Sequence, residues 1–261
     1  MDLGIAGRRA LVVGASRGLG QAIARALAAE GATVFAAARK SEAIAAWAAG
    51  LPPALGERIV ATRLDLADLA SVDGLADGLL ADGGVDILVN NSGGPPPSEA
   101  RETPRAAWLQ NFEAMAANVM HLTQRLLPPM AERRWGRVVT IASSGVEQPI
   151  PRLALSNGIR AALVGWSKTL AGEVAGDGIT VNMVLPGRIQ TERVDELDRA
   201  AAARQGASID DVARAARTTI PAGRYGRPEE FADVVAFLAS ERAAYVTGTK
   251  VRVDGGATRS I

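Results

Sequence analysis

The stretch Val13-Gly14-Ala15-Ser16-Arg17-Gly18-Leu19-Gly20 constrains this chain more than any other. It follows the apolar run Ala10-Leu11-Val12-Val13 and opens onto Gln21-Ala22-Ile23-Ala24-Arg25-Ala26-Leu27, which reads as a helix. A strand, a glycine turn and a helix N-terminus in succession make a site for a phosphate. Gly14 allows the tight turn, Gly18 lets the backbone approach a ligand, and Gly20 lets helix and strand pack closely. The helix end then offers unpaired N–H groups and a partial positive charge to a pyrophosphate. The GxxxGxG spacing differs from the GxGxxG of many dinucleotide sites, and alone it also fits a plain glycine-rich turn. The rest of the chain decides between the two.

Strand-like and helix-like segments alternate to the end of the chain. Thr33–Ala38 is a second strand, with Arg39 and Lys40 at its end, where an acid commonly binds the ribose 2′-hydroxyl of NAD. Two cations there, with Arg17 able to approach the same region, suit a 2′-phosphate. The expectation is NADP(H) over NAD(H), against the alternative of solvated surface cations. Ser41–Ala49 reads as a short helix and Arg58–Leu64 as a third strand. Asp65 and Leu66 follow it, and Asp65 either accepts a bond from an adenine amine or caps the next helix. Asp86–Val89 is a fourth, nearly all-apolar strand running into Asn90-Asn91-Ser92-Gly93-Gly94. Thr103 as N-cap and Pro104 as first helical residue start a long helix that carries Asn118 and His121 and stops near Leu127, at Pro128-Pro129. His121, among apolar neighbours, reads as packed and hydrogen-bonded. Arg137–Ile141 is a fifth strand ending in Ala142-Ser143-Ser144-Gly145, and a helix covers about 155–174.

Ile179–Leu185 is a sixth strand, ending in Pro186-Gly187-Arg188-Ile189-Gln190-Thr191. The charged, alanine-rich segment at about 188–225 reads as a substrate lid. Its Arg188, Arg193, Arg199 and Arg204 either attract an anionic substrate or are solvated surface. A helix from Pro228 and a seventh strand at Lys250–Val253 close the chain. The expected fold is α/β: a single Rossmann-type, doubly wound sheet of seven parallel strands in the order 3-2-1-4-5-6-7, helices on both faces, one domain over 1–261. Ligands of such sheets bind at the strands' C-terminal ends. The glycine turn, Asn90–Gly94, Ser143 and Pro186–Thr191 all lie there.

Composition excludes several function classes. A net charge of +1 without a basic block argues against nucleic acid. Zero cysteines and one histidine exclude thiolate chemistry and argue against a protein zinc site. Arg8-Arg9 precedes an apolar run too short for an export signal or a membrane span, so the chain is expected to be cytoplasmic and free of membrane.

Gly14-x-x-x-Gly18-x-Gly20, Asn90-Asn91-Ser92-Gly93, Ser143, Pro186-Gly187, Tyr245-Val246-Thr247-Gly248 and Asp254-Gly255-Gly256, in this order, resemble the short-chain dehydrogenase/reductase family over essentially the whole chain. The likeness is greatest to the 3-oxoacyl-acyl-carrier-protein reductases. The resemblance implies cofactor contacts from Gly14, Ser16, Arg17, Gly18, Leu19, Gly20, Arg39, Lys40, Asp65, Leu66, Asn91, Ser92, Gly93, Arg160, Pro186, Gly187, Ile189 and Thr191. It also implies a small-molecule substrate and a homo-oligomer, a tetramer or a dimer. In the family an Asn, a Ser, a Tyr and a Lys carry the chemistry. The Tyr protonates the carbonyl oxygen as hydride arrives, and the Lys holds the ribose and lowers the Tyr pKa.

Asn118 and Ser143 fit the first two places. The Tyr position, thirteen residues after Ser143, is Ser156, and the Lys position, four further on, is Arg160. The chain's tyrosines are Tyr225 and Tyr245, both outside this helix. An aliphatic hydroxyl is a far weaker acid than a phenol and too short to reach its place. Arg160 can bond a ribose but cannot readily give up a proton. Three readings follow. The first is an NADP(H)-dependent oxidoreductase of a carbonyl or related small substrate with an atypical proton donor. Ser143 or Ser144 would orient the substrate, and Glu147 is either that donor or a loop acid. The second is a nucleotide-binding regulatory protein without turnover, and the third an assembly partner.

Overall fold

Parallel strands buried on both faces need continuous apolar runs, and the strands form where the sequence supplies them. They are β1 (Arg9–Val13), β2 (Thr33–Ala38), β3 (Ile59–Arg63), β4 (Ile87–Asn90), β5 (Gly136–Ile141), β6 (Ile179–Pro186) and β7 (Lys250–Val253). The computed structural model describes residues 1–260 and pairs the strands in one parallel sheet, ordered β3-β2-β1-β4-β5-β6-β7. Every residue of β4 and β5 is buried, whereas the edge strands β3 and β7 are largely open to solvent.

The helices are α1 (Gly18–Ala29), α2 (Ser41–Ala49), α3 (Pro53–Gly56), α4 (Leu69–Ala81), α5 (Arg105–Phe112), α6 (Asn118–Glu132), α7 (Ala154–Val174), α8 (Glu192–Gln205), α9 (Ile209–Thr218) and α10 (Pro228–Leu238). Ile23, Leu27, Ile44 and Phe231 from α1, α2 and α10 cover one face of the sheet. Val72, Leu122, Leu126, Leu163 and Leu170 from α4, α6 and α7 cover the other. None of the helices among the described residues is long and apolar enough to cross a membrane.

The long helix expected to begin at Pro104 and end near Leu127 is built differently. It begins at Arg105, with Pro104 at the cap, and the Thr103 hydroxyl bonds Glu99 O instead of capping. A five-residue π turn, Glu113–Ala117, interrupts it directly before Asn118. Such turns insert one extra residue and redirect the side chains that follow. Pro128 and Pro129 lie inside α6 and do not stop it. Leu126 and Met130, one turn apart and fully buried, hold the last turns against the sheet despite two missing N–H donors.

The lid has a small core of its own. Val194, Ile220 and Tyr225 pack together, and the buried carboxylate of Asp198 accepts hydrogen bonds from Tyr225 Oη (2.7 Å) and from Arg188 (2.6 Å). These bonds tie α8 to the β6 exit loop and to the chain entering α10. Burial, and then Asp198 as partner, hold the Tyr225 phenol above its ordinary range. A raised pKa contributes stability that is complete below the unfolded value, about 10, and is lost as pH rises through the folded one. The urea midpoint of the protein is expected to fall more steeply above about pH 10 than that of Tyr225→Phe. Parallel midpoint-versus-pH curves for the two would contradict this role.

Candidate active site

The register of the sheet brings the functional loops to one edge. Val13 pairs with Ala37, Val12 with Val89, Asn90 with Thr140, Ile141 with Val184 and Pro186 with Val253. The segments leaving these ends are the glycine turn, Asn91–Gly93, Ser143–Ser144 and Gly187–Thr191. They are the segments the sequence singles out, now side by side.

Within the glycine turn the three glycines differ in their reasons. Gly14 has φ 68°, and a Cβ there would strike the carbonyl of Asn91. Gly20 has ordinary φ, but a Cβ would run into the carbonyl oxygen of Gly14. Its close contact is therefore with the turn itself more than with the strand. Gly18, φ 59°, meets nothing nearer than Thr191, 3.6 Å away, so its backbone faces open space. Asn91 Nδ2 donates to Gly14 O (3.3 Å) and Trp47 Nε1 to Ala15 O (3.2 Å), which fixes the turn from two sides. No side chain caps α1 and no acid lies in its first turn. The helix N-terminus keeps its N–H groups and its positive end for a phosphate, and the cradle fits a dinucleotide.

Arg39 and Lys40 are exposed at the end of β2, and neither takes part in an ion pair among the described residues. Arg17 is placed otherwise than expected. Its guanidinium pairs with Glu192 (2.5 Å) and Glu196 (3.0 Å) on α8, joining the glycine turn to the lid. These bonds raise the Arg17 pKa and lower that of Glu196. Asp65 does not cap α4; Asp68 does, by accepting from Ala70 N (3.0 Å). Asp65 Oδ1 accepts from Ala67 N in a local turn, which leaves its second oxygen available to a ligand. Leu66 O receives Nδ2 of the buried Asn118 (2.8 Å), so the residue after the π turn locks the β3 exit loop against α6.

Ser143 caps a short 3-10 turn, Ser144–Val146, its Oγ accepting from Gly145 N (3.0 Å); its own O–H remains free to donate. Ser156 and Arg160 sit one turn apart on α7, 8% and 6% exposed. Arg160 donates to Ile141 O (2.9 Å) and Ser92 O (3.3 Å), bracing the ends of β5 and β4. No carboxylate pairs with it among the described residues. Burial alone pushes its guanidinium pKa down to about 10, which leaves it charged near neutrality.

The two loops beside this trio are zipped together. Ser98 N donates to Arg152 O (2.8 Å) and Ala154 N to Ser98 O (3.1 Å), with Arg152 held at φ 63°. Glu147 is neither an exposed loop acid nor free to act as proton donor, because its largely buried carboxylate is held by Lys250 of β7 at 2.5 Å. His121 is hydrogen-bonded, as expected, to Asp73 (2.7 Å) between α6 and α4. Arg188 is occupied by Asp198, and Arg193 reaches Glu196 and Pro95 O. Arg199 and Arg204 are exposed on α8.

Sequence reasoning missed Trp47, Glu192, Glu196 and Asp198 as parts of the site's framework. The partners lie far apart in the chain, and only the i, i+4 spacing of Glu192 and Glu196 on a helix marked them as one acidic face.

A family model described as Enoyl-(Acyl carrier protein) reductase matches residues 14–258. The 3-oxoacyl-[acyl-carrier-protein] reductase FabG of Escherichia coli K12 is 37% identical over 251 residues, 96% of this chain and 97% of that protein. Nodulation protein G of Azospirillum brasilense is 37% identical over 250 residues, covering 95% and 96%. The crystal structure of L-sorbose reductase from Gluconobacter frateurii, complexed with NADPH and L-sorbose, superposes with a TM-score of 0.94. It is 33% identical, and the match covers all of both chains.

Because the glycine cradle has no room at Gly20, Gly20→Ala is expected to abolish the rise in melting temperature that NADPH gives the unmodified protein. Thermal scans with and without nucleotide check this, and an unchanged shift in a folded variant would contradict it.

Proposed function

The chain belongs to the short-chain dehydrogenase/reductase family, and from that premise we propose that it is an NADP(H)-dependent oxidoreductase of a carbonyl or related small substrate, with an atypical supply of the proton. The observation that carries the proposal is the convergence of a dinucleotide-sized glycine cradle with Ser143 and Arg160 at the carboxyl ends of the strands. When bound, the reduced nicotinamide supplies hydride. The chain's own residues do the rest.

Gly14–Gly20 and the free N-terminus of α1 receive the pyrophosphate, with Ser16 and Leu19 in the same turn. Asp65 and Leu66 border the adenine side, and Asn91, Ser92 and Gly93 the middle of the cofactor. Pro186, Gly187, Ile189 and Thr191 close over it from β6. Buried Ile189 bridges to Gly226, which holds this closing segment to the start of α10. Arg39 and Lys40, in no ion pair among the described residues, favour the 2′-phosphate of NADP(H). Ser143 orients the substrate through its free O–H, and Arg160 keeps a positive charge where the family has lysine.

The altered pair at 156 and 160 also favours a second reading, a nucleotide-binding protein of regulatory or structural role without turnover. A homo-oligomer fits either reading, since α5 leaves Leu109 and Phe112 exposed and α7 leaves the small residues Ala161, Ala162 and Gly165 exposed.

Nucleotide binding and NADPH oxidation over a panel of ketones, imines and conjugated carbonyls test the proposal. NADPH is expected to bind at least about tenfold more tightly than NADH, as two charge-assisted contacts imply. Arg39→Ala with Lys40→Ala is expected to remove that preference while NADH binding stays. Nucleotide binding with no turnover on any substrate would favour the second reading.

A further inference from the structure

The three cations that the sequence places around a ribose are not alike. Arg39 and Lys40 are exposed and in no ion pair among the described residues, whereas Arg17 is held by two carboxylates of the lid. A hydrogen bond from Ala15 N to Ala37 O (3.1 Å) sets the exits of β1 and β2 side by side. Arg17 and Arg39 each follow that bond by two residues. Long side chains from the two exits can meet at one anion, but Arg17 is turned to the lid instead.

The lid contact is a built one. Glu192 and Glu196 stand four residues apart at the start of α8, so both face the same way. Thr191, the N-cap of α8, is what a side chain at Gly18 would touch. On its other flank the helix is held by Arg193, which donates to Pro95 O (3.3 Å) in the loop after β4. The start of α8 therefore joins the glycine turn to the β4 exit loop. Arg193 also reaches Glu196 (3.4 Å), so that carboxylate keeps a cation when Arg17 leaves it. The Arg17 and Glu192 side chains are more than half exposed, and ion pairs in that setting are weak. A phosphate is the stronger partner for a guanidinium fork.

We propose that Glu192 and Glu196 are cofactor-discriminating residues carried by the lid. They occupy Arg17 in the free protein, and the 2′-phosphate of NADP(H) takes Arg17 from them and releases the start of α8 from the glycine turn. This rests on the oxidoreductase reading above for its nucleotide. NAD(H) has a hydroxyl in that place, brings no charge to compete, and leaves the contact closed. Release of α8 and capture of the 2′-phosphate are thus one exchange, and whatever weakens the lid contact strengthens NADPH binding by the same factor. The exchange trades carboxylate bonds for phosphate bonds and is close to balanced. Arg17 accordingly adds little to the preference supplied by Arg39 and Lys40 until the two acids are removed.

Two measurements on the full chain test this, neither requiring turnover. In the first, NADPH and NADH dissociation constants are compared in the parent and in Glu192→Gln with Glu196→Gln. The double variant is expected to bind NADPH at least about threefold more tightly, with NADH affinity changed less than about twofold. The gain should vanish in an Arg17→Met background, where there is no guanidinium to release. An NADPH affinity equal to the parent's overturns the proposal. So does an equal gain for NADH, or a gain that survives Arg17→Met, since either means that the acids act by general repulsion of the nucleotide.

The second uses the absence of cysteine from the chain. Nitroxide labels on Ala46→Cys in α2 and Ala203→Cys in α8, both exposed positions, report the distance between the glycine-turn side of the sheet and the lid by pulsed electron resonance. NADPH, and the double glutamine variant without nucleotide, are each expected to broaden the distance distribution, and NADH to leave it as in the free protein. An unaltered distribution with NADPH, or the same change with NADH, overturns this inference and leaves the oxidoreductase reading standing. Failure of the parent to bind NADPH removes both.

Discussion

Close packing of β1 against β4 at their carboxyl ends is the contact on which the site depends. The turn after β1 must bring Gly14 under the carbonyl of Asn91 and Gly20 onto the carbonyl of Gly14, and side chains at either glycine would force the two loops apart. That proximity lets one hydrogen bond, from Asn91 to Gly14, fix both the phosphate cradle and the loop that leads to Ser92. Ser92 in turn accepts from Arg160, and Arg160 also holds the end of β5. A chain of hydrogen bonds to backbone carbonyls thus runs from the cradle to α7, and it is held in place because β4 and β5 are buried throughout and cannot spread.

Electrostatics on the two sides of this chain are unlike. On the cradle side, exposed Arg17 is neutralised by the lid's Glu192 and Glu196, a pairing open to solvent and modest in strength. On the α7 side, Arg160 is buried, bonded only to carbonyls, and keeps its whole charge. The π turn before Asn118 belongs to the same design, because the residue it inserts precedes the amide that locks Leu66 into place.

Much of the fold was legible in the sequence. Apolar runs gave the strands and one parallel sheet, since a buried parallel strand has to be nearly all apolar, and the family resemblance gave their order. The failures were local. Pro128 and Pro129 read as a stop, but burial of Leu126 and Met130 outweighs two missing hydrogen bonds. Asp65 was one of two acids able to cap α4, and the backbone of the intervening turn selected Asp68.

The sequence by itself determined the glycine turn, the strand ends that surround it, and the presence of Ser156 and Arg160 where the family resemblance expects Tyr and Lys. These depend on residue identity at positions counted along the chain. Tertiary structure alone decided what each charged group is free to do. Arg17, Glu147, Tyr225 and Arg160 look equally available in the sequence, yet three are spent on partners from distant segments and one is buried without a counter-charge. The physical reason is that an ion's availability is set by solvent and by neighbours across space, and neither is encoded in local spacing.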